Sequence, residues 1–327
     1  MMKKILMMVM VLFAFMSSAF AAGKVRIGYW TSGVSLGYGS VLEETEILQK
    51  KYGVDAEYVR LPDLLAQITA LSSGDIDIAY AAPISAVFNA IHEGAPIKVV
   101  AGTQLADAVL VAPANSAVHS WSDLRGKRVG ASKPNAAVTV IAGVIADKVY
   151  GVKKDEYSIV QGNEGRLVQY LSQNDVDAAV IRTITYDQYK DKLGLRLIGS
   201  LPQQWKAVAK NNIPPYIGSG IVNTTFLKNH PDIVARVVRS WIDLEKWGKT
   251  HKDEIIDIVQ RRAGLSPENA RDFASRWDYV YRTSLSNQVL STLRTEHNQF
   301  AGIGQVKGSF SAGIFDQGPY LRAGGKK

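Results

Sequence analysis

Apolar positions in this chain follow two alternating rhythms, short continuous runs and helical stripes. Ile76–Tyr80 reads as a buried strand, Ala81-Ala82-Pro83 as a sharp turn of small residues, and Ile84, Val87, Phe88 and Ile91 as one face of a helix. Pro83 suits a first helical turn, where its missing N–H costs nothing, and Gly94 suits the stop. Ile97–Val100 then gives a second strand. The unit predicted is β-α-β, with parallel strands and a right-handed crossover.

The same rhythm runs on both sides of this unit. Val25–Trp30 predicts a first strand and Thr31–Gly39 a polar, glycine-rich loop. Val41–Lys50 predicts a helix that stops at Gly53, Ala56–Arg60 a strand and Leu64–Ser73 a helix. After an extended stretch, Gln104–Pro113, the pattern restarts. Ser122–Gly130 leads into a strand, Ala131–Asn135 is a loop, and Val138, Ile141, Ile145 and Val149 mark a helix. Ser158–Gln161, Val176–Ile181 and Leu195–Gly199 read as strands, with Arg166–Asn174 helical and Arg182–Tyr186 a second strand-to-helix turn. Pro214–Gly220 reads as a second extended linker, followed by a short strand, Ile221–Asn223. The rest reads as helical, and Arg322–Lys327 as a disordered tail.

Two crossings of the chain predict an α/β protein of two lobes, one inserted into the other. The boundaries expected are 22–107 with 222–327 for lobe 1 and 108–221 for lobe 2. Such a pair hinges and leaves a ligand cleft between the lobes, faced by the carboxyl ends of the strands.

Composition narrows the setting. Residues 1–21 have the form of a signal peptide: Lys3 and Lys4, an apolar Ile5–Phe15, and small residues around Phe20, with cleavage near Ala21. The chain has no cysteine, so neither a disulfide nor a lipid-modified cysteine is available, and a free periplasmic protein is expected. The formal charge of +8 is scattered, without a basic stripe carrying interleaved aromatics, so nucleic acid is not an expected partner. A mildly positive field favours an anionic solute.

Catalytic motifs are missing. The five histidines are widely separated, no Gly-Lys-Ser/Thr follows Gly33, Gly37 or Gly39, and no G-x-S-x-G elbow occurs. Neither a metal nor a cofactor is expected. Asp75 and Asp77 read as strand-end residues rather than an acid/base pair.

The ordered set SGDIDIAYAAPISAVFNAIHEGAPIKVVAG, SDLRGKRVG, QNDVDAAVI and NTTFLKNHPDIV resembles the periplasmic solute-binding proteins of nitrate/sulfonate/taurine-type ABC importers over nearly the whole mature chain. The resemblance implies a two-lobe periplasmic binding protein fold of type II. The protein would be a monomer that hands a small anionic or zwitterionic solute to an inner-membrane ABC permease. It further implies that the solute is held by Trp30, Thr31, Ser32 and Tyr38; by Ala82, Pro83 and Ser85; by Ser132 and Asn135; and by Arg182 and Thr183. Gln104 and Tyr216, at the two crossings, complete the candidate set. Where many relatives carry Trp, Asp or Glu and then Pro after VDAA, this chain has Ile181-Arg182-Thr183-Ile184.

Arg182 is the expected specificity residue, since a guanidinium fork matches a sulfonate, carboxylate or phosphate. A structural ion pair with Asp187 or Asp177 is the alternative. Trp30 and Tyr38 could floor the pocket and take an ammonium by cation–π contact, or could pack between lobes. Thr31, Ser32, Ser85, Ser132 and Asn135 are donors to ligand oxygens or simple helix caps. Taurine or another aliphatic sulfonate is the solute expected. Nitrate, a carboxylate or a pyrimidine-type heterocycle is the alternative, and an enzyme resembling the thiamine-pyrimidine synthases is a more remote one.

Overall fold

The computed structural model describes residues 24–30, 33–62 and 64–327; the signal-peptide reading, Thr31 and Ser32 lie outside them. The first lobe opens with β1 (Val25–Trp30), α1 (Gly33–Thr45), α2 (Ile47–Tyr52), β2 (Ala56–Leu61), α3 (Leu64–Ser73), β3 (Ile78–Pro83), α4 (Ile84–His92) and β4 (Ile97–Leu105). The chain crosses at Ala106–Asp107 into a second lobe: β5 (Ala108–Pro113), β6 (Arg128–Ala131), α5 (Ala137–Tyr150), β7 (Ser158–Gln161), α6 (Glu164–Gln173), β8 (Ala178–Arg182), α7 (Thr183–Leu193), β9 (Leu195–Ser200) and α8 (Leu201–Ala209). It returns to the first lobe with β10 (Tyr216–Asn223), α9 (Thr224–Asn229), α10 (Pro231–Thr250), α11 (Lys252–Ala263), α12 (Pro267–Ser275), α13 (Trp277–Val280), β11 (Tyr281–Ser284), α14 (Asn287–Gly302) and α15 (Gly318–Arg322).

Each lobe is built on one mixed sheet. The first runs β11-β4-β10-β3-β1-β2 and the second β7-β6-β8-β5-β9. In the first, β1 is parallel to β2 and β3, while β10 is antiparallel to β3 and β4. The strands β3 and β4 therefore run parallel, as the apolar pattern predicts, but they are not neighbours. The returning strand β10 lies between them, and residues 216–220 are ladder rather than linker. The two crossings touch where the Ala106 N–H donates to the Pro215 carbonyl at 2.8 Å. Pro214 and Pro215 have fixed φ, so the linker that bends here is short and stiff.

Several boundaries move relative to the sequence reading. Helix α1 begins at Gly33, within the expected loop. The turn Ala81–Pro83 is the end of β3, with Ala81 at φ 58° and Pro83 in extended backbone ahead of α4 rather than in its first turn. The tail is packed through Ala323, whose carbonyl accepts from Arg239 at 2.7 Å.

The core of the first lobe is aromatic. Tyr38 and Tyr80 stack with centroids 4.0 Å apart and planes 2° from parallel, Trp277 stacks on Tyr38 at 5.3 Å, and Trp241 meets Tyr80 edge-on at 5.2 Å. Such pairs add about 0.5–1.5 kcal/mol each beyond their buried area. Helix α10 supplies Val234, Val237, Val238, Trp241 and Leu244 as one buried stripe. Gly248, on the same helix, lets the Trp277 indole lie against the backbone; a Cβ there would sit 2.2 Å from its Nε1. Nothing in the described residues is long and apolar enough to cross a membrane as a helix.

Candidate functional site

A cleft of about 650 Å³ separates the lobes. Its first-lobe wall is mostly apolar: Trp30 at the end of β1, Pro62, Ala263, Leu265 and Phe273, with Asn269 as the polar exception. The second-lobe wall is mixed: Val138, Val180 and Ile181 give it apolar surface, and strand ends supply its polar groups. Ser132 and Lys133 follow β6, Gln161–Glu164 follow β7, and Arg182, Ile184, Thr185 and Gln188 follow β8. This is the place where α/β sheets bind ligands, because helix starts and uncovered N–H groups converge there.

Arg182 closes β8 and precedes the first turn of α7. Its backbone N–H donates to Glu164 Oε2 at 3.3 Å. Its side chain is half-buried, and Nη1 is buried without a hydrogen-bond partner among the described residues. The two carboxylates expected from sequence as its partners are engaged elsewhere: Asp177 accepts from the Arg128 N–H at 2.7 Å, and Asp187 pairs with Arg276. A buried guanidinium N–H left unpaired is costly, so an acceptor that reached it would gain more than from a solvated lysine.

The other candidates fall into distinct places. Trp30 and Ser132 line the cleft with Arg182. Ser85 and Asn135 face each other across the lobes, the Ser85 hydroxyl donating to the Asn135 carbonyl at 2.9 Å. Thr183 spends its N–H on the Asp107 carbonyl at the hinge, 3.2 Å away. Tyr38 does not floor the pocket: it is wholly buried in the aromatic stack, and its hydroxyl turns to the Trp241 carbonyl at 3.4 Å. Tyr216 is likewise interior, its N–H held by Glu296 Oε1 at 2.7 Å. Ala82, Pro83 and Gln104 are buried in the first sheet, where Ala82 accepts from the Ser219 hydroxyl at 2.9 Å and Gln104 lies opposite Gly218 and Tyr281. All three are buried in the sheet and outside the cleft lining, with β10 paired beside them, a strand order that the sequence reading did not contain.

Glu164, Lys133, Gln188, Asn269 and Phe273 are cleft residues that the sequence reading missed. Glu164 was accessible to it: Ser158–Gln161 reads as a strand, and the rule that ligands gather at strand carboxyl ends applies to Gly162-Asn163-Glu164 as well. Asn269 and Phe273 carry no local signal, since a helix late in the chain reaches the cleft only through the return crossing.

Comparison with known proteins follows this geometry. The family model described as "ABC transporter, phosphonate, periplasmic substrate-binding protein" matches residues 43–238. Among curated proteins no sequence matches significantly. The fold is similar to that of the alkanesulfonate-binding protein SsuA from Xanthomonas axonopodis pv. citri bound to MOPS, at 17% identity and a TM-score of 0.71 over 89% of this chain and 96% of that one. It is also similar to the periplasmic aliphatic sulphonate binding protein SsuA from Escherichia coli, at 16% identity and a TM-score of 0.73 over 88% and 95%. The desulfurization enzyme DSZB shares the fold as well, at 12% identity and a TM-score of 0.63 over 92% and 99%. At these identities the likeness establishes the two-lobe fold.

Proposed function

This chain belongs to the periplasmic substrate-binding proteins of phosphonate-type ABC transporters, a family that delivers small molecules to a membrane permease, and we propose that its cleft captures an organic oxyanion, a sulfonate or phosphonate with an apolar body. The observation that carries this reading is Arg182, a residue of the cleft lining whose buried Nη1 has no hydrogen-bond partner among the described residues, opposite a mostly apolar first-lobe wall. The head group is taken by the guanidinium fork and by the start of α7; the body lies against Trp30, Leu265 and Phe273. Binding from both walls favours the closed lobes, and closure is the state a permease would recognise.

The apolar wall refines the solute: Trp30, Leu265 and Phe273 support a body with more hydrocarbon than taurine's two methylenes. The sulfonate-binding proteins of like fold, one of them holding MOPS, favour a sulfonate; the family description favours a phosphonate.

Titration calorimetry with MOPS, 1-octanesulfonate, taurine, phenylphosphonate, nitrate and benzoate separates these readings. Micromolar binding of MOPS, octanesulfonate or phenylphosphonate, with taurine and nitrate far weaker, is expected, and the bound compound is recovered chemically unchanged. Preference for nitrate or benzoate, or conversion of the probe, would overturn the proposal.

A further inference from the structure

Helix α7 carries Arg182 just before its first turn. One turn further on it carries a second set of polar contacts that reach into the first lobe. Arg276, between α12 and α13, donates through Nη1 to both oxygens of Asp107 at the hinge, at 3.2 and 3.0 Å. Its Nη2 pairs with Asp187 on α7. Beside it, Gln188 of α7 donates to Asn269 and, at 3.5 Å, to Asp272, both on α12. Tyr279 adds a hydroxyl contact to the Ala106 carbonyl in the same crossing, at 3.5 Å.

We propose that Arg276, held at the hinge by Asp107, is a closure latch that catches Asp187 when the lobes meet. The two halves of this cluster differ in kind. The Asp107–Arg276 pair is largely buried, with side-chain exposures of 10% and 23%, and joins the crossing to the first lobe whatever the lobes do. Asp187 is 41% exposed and rides on the second lobe, so its pair with Arg276 exists only when α7 approaches α12. Because α7 is one rigid element, an anion that draws Arg182 into the cleft also seats Asp187 and Gln188. The inference rests on reading the cleft as the capture site, but the latch itself acts on lobe position with or without a ligand. An exposed pair contributes modestly, so its loss should lower the closed-to-open ratio at most about fivefold and raise the apparent dissociation constant by the same factor at most.

The absence of cysteine permits a direct test. Nitroxide labels at Glu57→Cys on the first lobe and Ser172→Cys on the second, both exposed, report the interlobe distance in ligand-free protein. A short-distance population is expected in the parent and should shrink in Asp187→Ala. Lys190→Ala, which removes the 3.7 Å partner of Asp187 on its own helix, should leave it in place. A parent without the short population, or an Asp187→Ala protein that keeps it, overturns the latch. MOPS titration of the same proteins separates the two ideas. Distances that respond to Asp187→Ala without MOPS binding anywhere keep the latch and count against the sulfonate reading. Binding with unresponsive distances does the reverse.

Discussion

The Ser85 hydroxyl in one lobe donates to the backbone carbonyl of Asn135 in the other, at 2.9 Å. Two turns at strand ends, after β3 and after β6, thus meet each other directly. A serine at a helix start, read from sequence as a ligand donor, is engaged in holding the lobes together. In the reading proposed above, head-group recognition falls to Arg182, whose guanidinium keeps a donor without a partner among the described residues.

Arg182→Ala should weaken MOPS or octanesulfonate binding about 10- to 150-fold, the range for losing a charge-assisted hydrogen bond of about 1.5–3 kcal/mol. Arg182→Lys keeps the charge but not the fork and should fall between. Calorimetry measures both. Equal affinity of parent and alanine variant would remove Arg182 from the site.

Tyr38→Phe should leave binding unchanged, because its hydroxyl points to a core carbonyl, 3.4 Å away, and not into the cleft. Phe273→Ala, which strips an aromatic ring from the first-lobe wall, should weaken octanesulfonate more than taurine. The ratio of the two affinities is the readout, and an unchanged ratio would show that the apolar body does not lie there.

Glu245 gives the fold a pH dependence. Burial pushes its carboxyl up to about 7, against the opposing hydrogen bonds from the Thr283 N–H and hydroxyl. The folded protein therefore holds a proton that the unfolded chain releases near 4.5. Its contribution is fully present below about pH 4.5 and is lost as pH rises through about 7. At 1.36 kcal/mol per pH unit this is about 3 kcal/mol. Burial raises Glu296 in the same direction. Denaturant unfolding at pH 5 and pH 8 should show a smaller difference in Glu245→Gln than in the parent.

Gly248→Ala should destabilise the protein despite removing a glycine from a helix. Better helix propensity is worth about 1 kcal/mol. The new methyl would stand 2.2 Å from the Trp277 indole nitrogen, which is tied to the Glu245 carbonyl at 3.1 Å and has no room to retreat. Overpacking of this kind costs about 1–3 kcal/mol. A lower denaturation midpoint is expected; a higher one would mean that the indole moves freely.

The sequence shows what is local. Strand-to-helix turns are visible because apolar runs, small residues and caps sit next to one another, and so Trp30, Ser132 and Arg182 could be assigned to strand ends. Pairing between distant segments is not visible in this way. Pro214–Gly220 reads as an extended linker, yet from Tyr216 on it becomes the middle of a sheet by pairing with β3 on one side and β4 on the other. That same insertion makes Ala82, Pro83 and Gln104 inner ladder positions of the sheet. Tyr38 shows the reverse: on a helix of low apolar contrast its ring has no local reason to be interior, and only the rings of Tyr80, Trp277 and Tyr281, from remote parts of the chain, make it so.

The slot filled by β10 also sets an order of assembly. As the chain emerges from its N-terminal end, β3 and β4 are complete by Leu105, but the strand that joins them arrives more than a hundred residues later, after the whole inserted lobe. Until then the first half is an unfinished sheet with two unsatisfied inner edges. Non-local pairing of this kind is slow. The inserted lobe, whose sheet uses only consecutive residues from Ala108 to Ser200, should acquire amide protection first, and the older, N-terminal half should wait for it.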